Sequence, residues 1–211
     1  MLRQAPLSAF FLFVFAIVGV GLVAFTHDRT AERIHDNERK ALLRSINELI
    51  PADAYDNDIF HDIIKVPGNE LLGSEEPVPV YRARKQGWPI AVVLPVTAPD
   101  GYNGAIKLLV AIRLDGTLAG VRAISHRETP GLGDAIDTER SDWIRGFKGR
   151  SLDNPPASHW KVKRDGGDFD QFTGATITPR AVVKAVHKAL LYYRRQHHKL
   201  FEDAPRKPVA Q

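Results

Sequence analysis

The chain begins with an unbroken apolar run. From Leu7 to Phe25 there are 19 residues without a charge, and Ser8 is the only side-chain hydrogen bonder among them. As a helix the run is about 28 Å long, roughly the thickness of a bilayer's hydrocarbon layer. A cleaved secretion signal is the alternative. However, the run exceeds the usual apolar region of such signals, and Leu22-Val23-Ala24 is a poor small-x-small cleavage site. The pattern predicts an uncleaved anchor. The period then changes: Ile34, Ala41, Leu42, Ile46, Leu49 and Ile50 mark one face of a polar helix over 27–50, ended by Pro51. This helix is expected to extend the anchor and lean on the soluble part. Residues 51–79 are acidic and turn-rich, with Pro67-Gly68, Gly73 and Pro77, and show no recognisable chemistry.

Alternation follows. Residues 78–98 read as two strands around Lys85-Gln86-Gly87. A clearer hairpin comes next, with Ile106, Leu108, Val110, Ile112 and Leu114 on one face and a return strand over 117–125. Between them Asp115-Gly116 fits the positive φ values of a type I′ turn. A Pro/Gly loop at 128–133, a mixed segment with Trp143 and Phe147, and a loop through Pro155-Pro156 come before a candidate short strand, Trp160-Lys161-Val162. The last helix is predicted over 179–195, with Val182, Val183, Val186, Ala189, Leu190 and Tyr193 as its apolar stripe. The fold class is α+β: one antiparallel-sheet domain with a C-terminal helix, preceded by one transmembrane helix. The expected divisions are an anchor (1–26), a stalk with the first part of the soluble domain (27–99), the principal domain (100–193) and a basic tail (194–211).

Composition narrows the chemistry. Without cysteine there are no disulfides, Cys-ligated iron–sulfur clusters, thiolate zinc sites or thiol catalysis. His197-His198 falls in the expected tail, where a solvated pair is the simpler reading than a metal site. The pI near 9.4 suggests nucleic acid, but the basic residues are scattered among 25 acids. Beside a membrane span, attraction to anionic lipid headgroups explains the charge better. Arg3 precedes the span whereas Arg29, Arg33, Arg39, Lys40 and Arg44 follow it, so charge counting leaves the orientation undecided.

Two stretches carry candidate chemistry. In "DFDQFTGATITPR", residues 168–180, Thr173, Thr176 and Thr178 surround a Gly174-Ala175 pair and lead into the last helix. Thr178-Pro179 reads as an N-cap followed by an N1 proline, with Thr176 two residues ahead and Arg180 at N2. Unpaired amides and the positive dipole end make such a place favourable to phosphate. The plain alternative is a capped helix start with locally bonded threonines. In "HRETPGLGDAI", residues 126–136, two glycines and a proline shape a loop around apolar Leu132, with Glu128 at its mouth. That loop is either a tight connection with a solvated Glu128 or a rigid face for a flat aromatic ligand.

Taken together, "GYNGAIKLLV", "HRETPGLG" and "DFDQFTGAT" resemble the FMN-binding domain family that carries flavin covalently. More narrowly, the chain is similar to the G subunits of Rnf-type (Rsx) ion-translocating electron transport complexes. The C subunits of sodium-pumping NADH:quinone reductases are the neighbouring alternative. The likeness covers the N-terminal span and residues 100–193, and Gly-Tyr at 101–102 in place of a tryptophan-bearing version favours the Rnf side.

The resemblance implies the following. A flavin transferase of the ApbE type reads the pattern Asp-x-x-(Ser/Thr)-Gly-Ala-Thr, matched here by Asp170, Thr173, Gly174, Ala175 and Thr176. Thr176 would receive FMN through a phosphoester. Glu128, Thr129, Leu132 and Gly133 would border the isoalloxazine, and Tyr102 would offer an aromatic face. The domain would lie outside the bacterial inner membrane and relay electrons among other subunits of the complex, without catalysis of its own. Two rivals remain from the residues alone. One is a cofactor-free tethered binding module; the other is a phosphate-handling enzyme, which would lack any metal-ligand cluster.

Overall fold

The computed structural model describes residues 5–202, except the side chains of residues 5–7, 28 and 32. The apolar run and the polar stretch are one continuous helix, α1, Ala5–Leu49. Within it Ser8–Ala31 is long and apolar enough to cross a membrane. Its large apolar side chains from Phe10 to Phe25 are exposed, an arrangement suited to lipid and not to water. The hydroxyls of Thr26 and Thr30 donate to the carbonyls of Leu22 (2.7 Å) and Thr26 (2.8 Å), four residues back, so they are satisfied within the helix. The chain divides into two compact units, with the boundary between Arg44 and Ser45.

The second unit is an antiparallel meander. Its strands β1 (Ile63–Val66), β2 (Val78–Lys85), β3 (Trp88–Ala98), β4 (Ile106–Arg113) and β5 (Leu118–Ser125) lie side by side in chain order. The strand pair expected over 78–98 and the hairpin after it are both present. Strand β1 was not foreseen, because four residues between Asp62 and Pro67 are too few to show a period.

The two hairpin turns exchange roles. Gln86 and Gly87 have φ of 52° and 80°, the two positive values that a type I′ turn requires. At the other hairpin only Gly116 is positive, at 83°, so Asp115-Gly116 is not the expected type I′ turn. Asp115 instead uses its carboxylate, which accepts from the amide (2.9 Å) and hydroxyl (2.7 Å) of Thr117. The wider loop that results leaves Leu114 exposed, off the buried face on which alternation had placed it.

Alternation along β4 predicts one buried face, yet both are buried. Ile106, Leu108, Val110 and Ile112 join the core beneath the last helix. Leu109 and Ala111 are equally buried on the opposite side. The final turn of α1 helps close that side: Ile46, Leu49 and Ile50 are buried, and a Cβ on Gly120 would come within 2.9 Å of Leu49 Cδ2.

The last helix, α2, is Ile177–Phe201, longer at both ends than expected. Residues 194–201 of the expected tail, His197 and His198 included, are therefore helical; residues 203–211 lie outside the described range. Trp160-Lys161-Val162 is not a strand. Val162 makes a single parallel bridge to Phe169, and short 3-10 turns flank it at Ala157–His159 and Lys163–Asp165. The cause is the tight return at Gly166-Gly167, where a Cβ on Gly167 would sit 1.9 Å from the Lys161 carbonyl oxygen.

That return builds an aromatic plug. Phe147 stacks on Phe169 with ring centres 4.8 Å apart, and Trp143 meets Phe147 and Phe172 edge-on at 5.4 and 5.0 Å. Trp160 lies over His187 of α2 at 5.3 Å. Trp143 Nε1 donates to the Asp170 carbonyl at 2.8 Å. The threonine loop is thus seated on rings, which explains how so polar a segment is held in place.

Candidate functional site

Three connections meet where α2 begins: the β3–β4 loop with Gly101 to Asn103, the loop after β5 with Glu128 to Gly133, and the threonine turn. Between them lies a cleft of about 270 Å³ lined by Tyr102, Thr129, Leu132, Gly174, Thr176 and Ile177, with Glu128 in its wall. All the cofactor-binding residues read from the sequence line this cleft except Thr173, which lies exposed beside it. Asp170 stands apart from the cleft, its exposed carboxylate 2.6 Å from Lys163 Nζ.

The threonines have changed places relative to the sequence reading. Thr176, not Thr178, occupies the N-cap position, and no side-chain bond caps the helix there. Pro179 is the third helical residue, where its missing amide still costs no hydrogen bond. Thr178 is completely buried, and its hydroxyl donates to the carboxylate of Glu128. At 100° per helical residue, side chains two positions apart point to opposite sides. Thr178 accordingly faces inward, while Thr176 is half-buried on the cleft side.

Glu128 is not solvated decoration at a loop mouth. Only 5% of it is exposed, and besides Thr178 it accepts the Asn103 amide at 3.1 Å. Its own amide donates to His126 Nδ1 at 3.1 Å. His126 Nε2 therefore carries the proton and donates to Asp137, 3.0 Å away. The loop is wound on the Thr129 carbonyl, which accepts from Leu132 (3.1 Å) and Gly133 (3.0 Å). Gly131 supplies the positive φ, 76°, that lets Leu132 turn outward.

Arg180 does not reach toward the helix start as a free charge. Its Nε and Nη2 each lie 2.6 Å from an oxygen of Asp165, a bidentate pair that holds the Asp165 carboxyl below its usual range. Ile177 is the cleft residue that sequence reasoning missed. It sits between two threonines that drew attention for their hydroxyls, and nothing in a single isoleucine marks it. With Tyr102 (64% exposed) and Leu132 (43%), Ile177 (45%) gives the cleft an apolar rim.

A narrow cleft with an apolar rim, small residues on its floor and a threonine hydroxyl unused by the fold suits a flat aromatic cofactor with a phosphate tail. The cleft stands at the start of a helix packed on an antiparallel meander, and the FMN-binding domain family matches residues 101–191, which places this part of the chain in a flavin-binding class of domain. The RnfG N-terminal region matches residues 1–49. Over 200 residues the chain is 47% identical to the G subunit of the ion-translocating oxidoreductase complex of Vibrio atlanticus, covering 95% of each chain. It is 51% identical over 193 residues to the corresponding G subunit of Pseudomonas aeruginosa, covering 92% of this chain and 88% of the relative. It is 49% identical over 190 residues to that of Pseudoalteromonas atlantica, covering 90% and 88%. The chain belongs to the family of G subunits of ion-translocating oxidoreductase complexes, the Rnf side of the two alternatives.

Proposed function

We propose that FMN is carried covalently on Thr176 through a phosphoester, and that the domain relays electrons between other subunits on the periplasmic side of the bacterial inner membrane. The observation that carries the linkage is the division of labour between the threonines. Thr178 is buried and donates to Glu128, whereas Thr176 is half-buried at the cleft with no capping bond. Attachment by the flavin transferase joins the Thr176 oxygen to the phosphorus of FAD's riboflavin-side phosphate. The pyrophosphate bond breaks, AMP leaves, and the hydroxyl proton is lost. FMN supplies one- and two-electron chemistry when bound. The protein supplies the tether, the apolar rim at Tyr102, Leu132 and Ile177, and the polar wall at Thr129.

The test is fluorescence that survives a denaturing gel. Protein co-produced with the transferase should fluoresce, and Thr176→Ala should abolish this while still folding. Retained fluorescence, or flavin mapped by peptide mass to Thr173 or Thr178, overturns the assignment. The periplasmic side rests on the family resemblance alone. Protease added to spheroplasts should digest the domain, and full protection behind an intact inner membrane would overturn it.

A further inference from the structure

We propose that Glu128 and Thr178 form a clamp that positions the Thr176 hydroxyl for flavin attachment; this rests on the covalent reading above. Glu128 is buried, and among the described residues no lysine or arginine forms an ion pair with it. A carboxylate held this way needs strong hydrogen-bond donors, and each comes from a different part of the chain. Thr178 donates from the first turn of α2, fifty positions away in sequence. The Asn103 amide donates from the β3–β4 loop, and Asn103 Nδ2 also reaches Thr129 Oγ1 at 3.2 Å.

Gly133 fits the same purpose. A Cβ on Gly133 would lie 2.8 Å from Thr178 Oγ1 and 2.9 Å from Glu128 Oε2, and one on Gly101 would lie 3.1 Å from Glu128 Oε1. Gly133 is kept bare where the carboxylate and the Thr178 hydroxyl meet, whereas Gly101 is needed first for the Gly104 carbonyl, 2.2 Å from such a Cβ. A cap would need only a local partner; this bond ties the helix start to two distant loops. Because Thr176 and Thr178 share one helical turn, fixing Thr178 on the inner side sets the rotation and height at which Thr176 meets the cleft. Glu128 is thus a positioning residue that acts through the helix.

The experiment measures transferase-catalysed loading of the full-length protein in detergent, with FAD as donor, in Thr178→Val, Thr178→Ser and Glu128→Gln. Thr176→Ala is the blank. Thr178→Val keeps the shape and removes the donor. It should lower the turnover of loading about tenfold or more, as misplaced reacting groups do. The KM for the protein should not change, since the exposed Asp170 and its aromatic seat are untouched. Thr178→Ser restores the donor and should restore turnover. Wild-type turnover in folded Thr178→Val overturns the clamp and leaves the linkage standing. If that variant does not fold, Glu128→Gln decides in the same way: lowered turnover at unchanged KM supports the clamp, and wild-type turnover overturns it. Wild-type protein that does not load, or a blank that does, overturns the covalent reading and the clamp with it.

Discussion

The aromatic plug under the threonine loop is open to a quantitative test through Phe147. Its ring is fully buried, stacked on Phe169 and met edge-on by Trp143, with Trp160 beside Phe169 at 6.3 Å. Few neighbours could collapse into the space, because the surrounding rings are themselves held: Trp160 Nε1 donates to the carbonyls of Ser151 (3.2 Å) and Pro155 (3.1 Å), and Trp143 Nε1 donates to Asp170. Phe147→Ala should therefore cost the full large-to-small penalty of about 3–5 kcal/mol. For a domain of this size each kcal/mol is worth about 2–4 °C, so the melting temperature should fall by roughly 6–20 °C. Phe147→Leu, closer in volume, should cost about 1–2 kcal/mol. The assay is thermal unfolding of the detergent-solubilised chain, followed by tryptophan emission and circular dichroism. Leu109→Ala is the control. It is equally buried but on the opposite face of the sheet, with an expected cost of about 2–5 kcal/mol. If the plug seats the threonine loop, Phe147→Ala should slow flavin loading well below the wild type at a temperature where both variants are folded, while Leu109→Ala should not. A melting shift under about 2 °C would refute the packing argument. Equal loading in the two variants would refute the link to the site.

Two further outcomes follow from the same geometry. Gly133→Ala places a methyl group against Thr178 Oγ1 and the Glu128 side chain, so it should destabilise by about 1–3 kcal/mol and lower flavin loading; a melting temperature equal to the wild type would contradict it. Burial, and then the charge of Arg194, lowers the pKa of His187 below its ordinary 6.5, so the folded protein binds this proton less readily than the unfolded chain. Stability should accordingly hold above pH 6.5, fall as the pH drops below it, and level off beneath the folded value; His187→Gln should flatten that part of a pH–stability profile, and an unchanged profile would show that the histidine contributes nothing.

The sequence disclosed elements with a period and missed features made by contacts. The N-terminal helix was legible as an unbroken apolar run, the two strand pairs and the stripe on α2 repeat at 2.0 or 3.6 residues, and all of these elements are present. Strand β1 spans four residues, too few to repeat. Burial of both faces of β4 is helped by Leu49, at the last turn of α1, lying over Gly120 of β5, a long-range contact that local alternation does not encode. Dipeptide rules also misplaced the type I′ turn. Asp115 had a competing side-chain bond to Thr117, while Gln86 took up the less usual positive φ. At the site the motifs picked out loops that the fold brings to one cleft, but not which way their side chains face. Thr178 reads as a cap from its proline neighbour, and only the fold shows that its hydroxyl serves Glu128. Trp143, Phe147, Trp160, Phe169 and Phe172 share no period along the chain and become one plug only when the Gly166-Gly167 return brings them together.

The electrostatics of the helix start bear on why a covalent bond would be useful there. A phosphate held without one is usually gripped by a free arginine or lysine as well as by helix amides. Here Arg180 is committed to Asp165 and Lys163 to Asp170. The helix has no acidic residue in its own first turn, yet Glu128 brings a carboxylate to its inner side through Thr178. The positive end of α2, equivalent to about half a charge, is already partly offset by that anion. A phosphate arriving on the Thr176 side would share what remains with Glu128 and meet no unpaired cation among these neighbours. Charge alone would therefore hold a flavin tail weakly at this place, even though the cleft offers its rings an apolar rim. The proposed phosphoester to Thr176 would remove that dependence: the tail would stay because it is bonded, and the carboxylate that weakens an ionic site would be free to fix the helix instead.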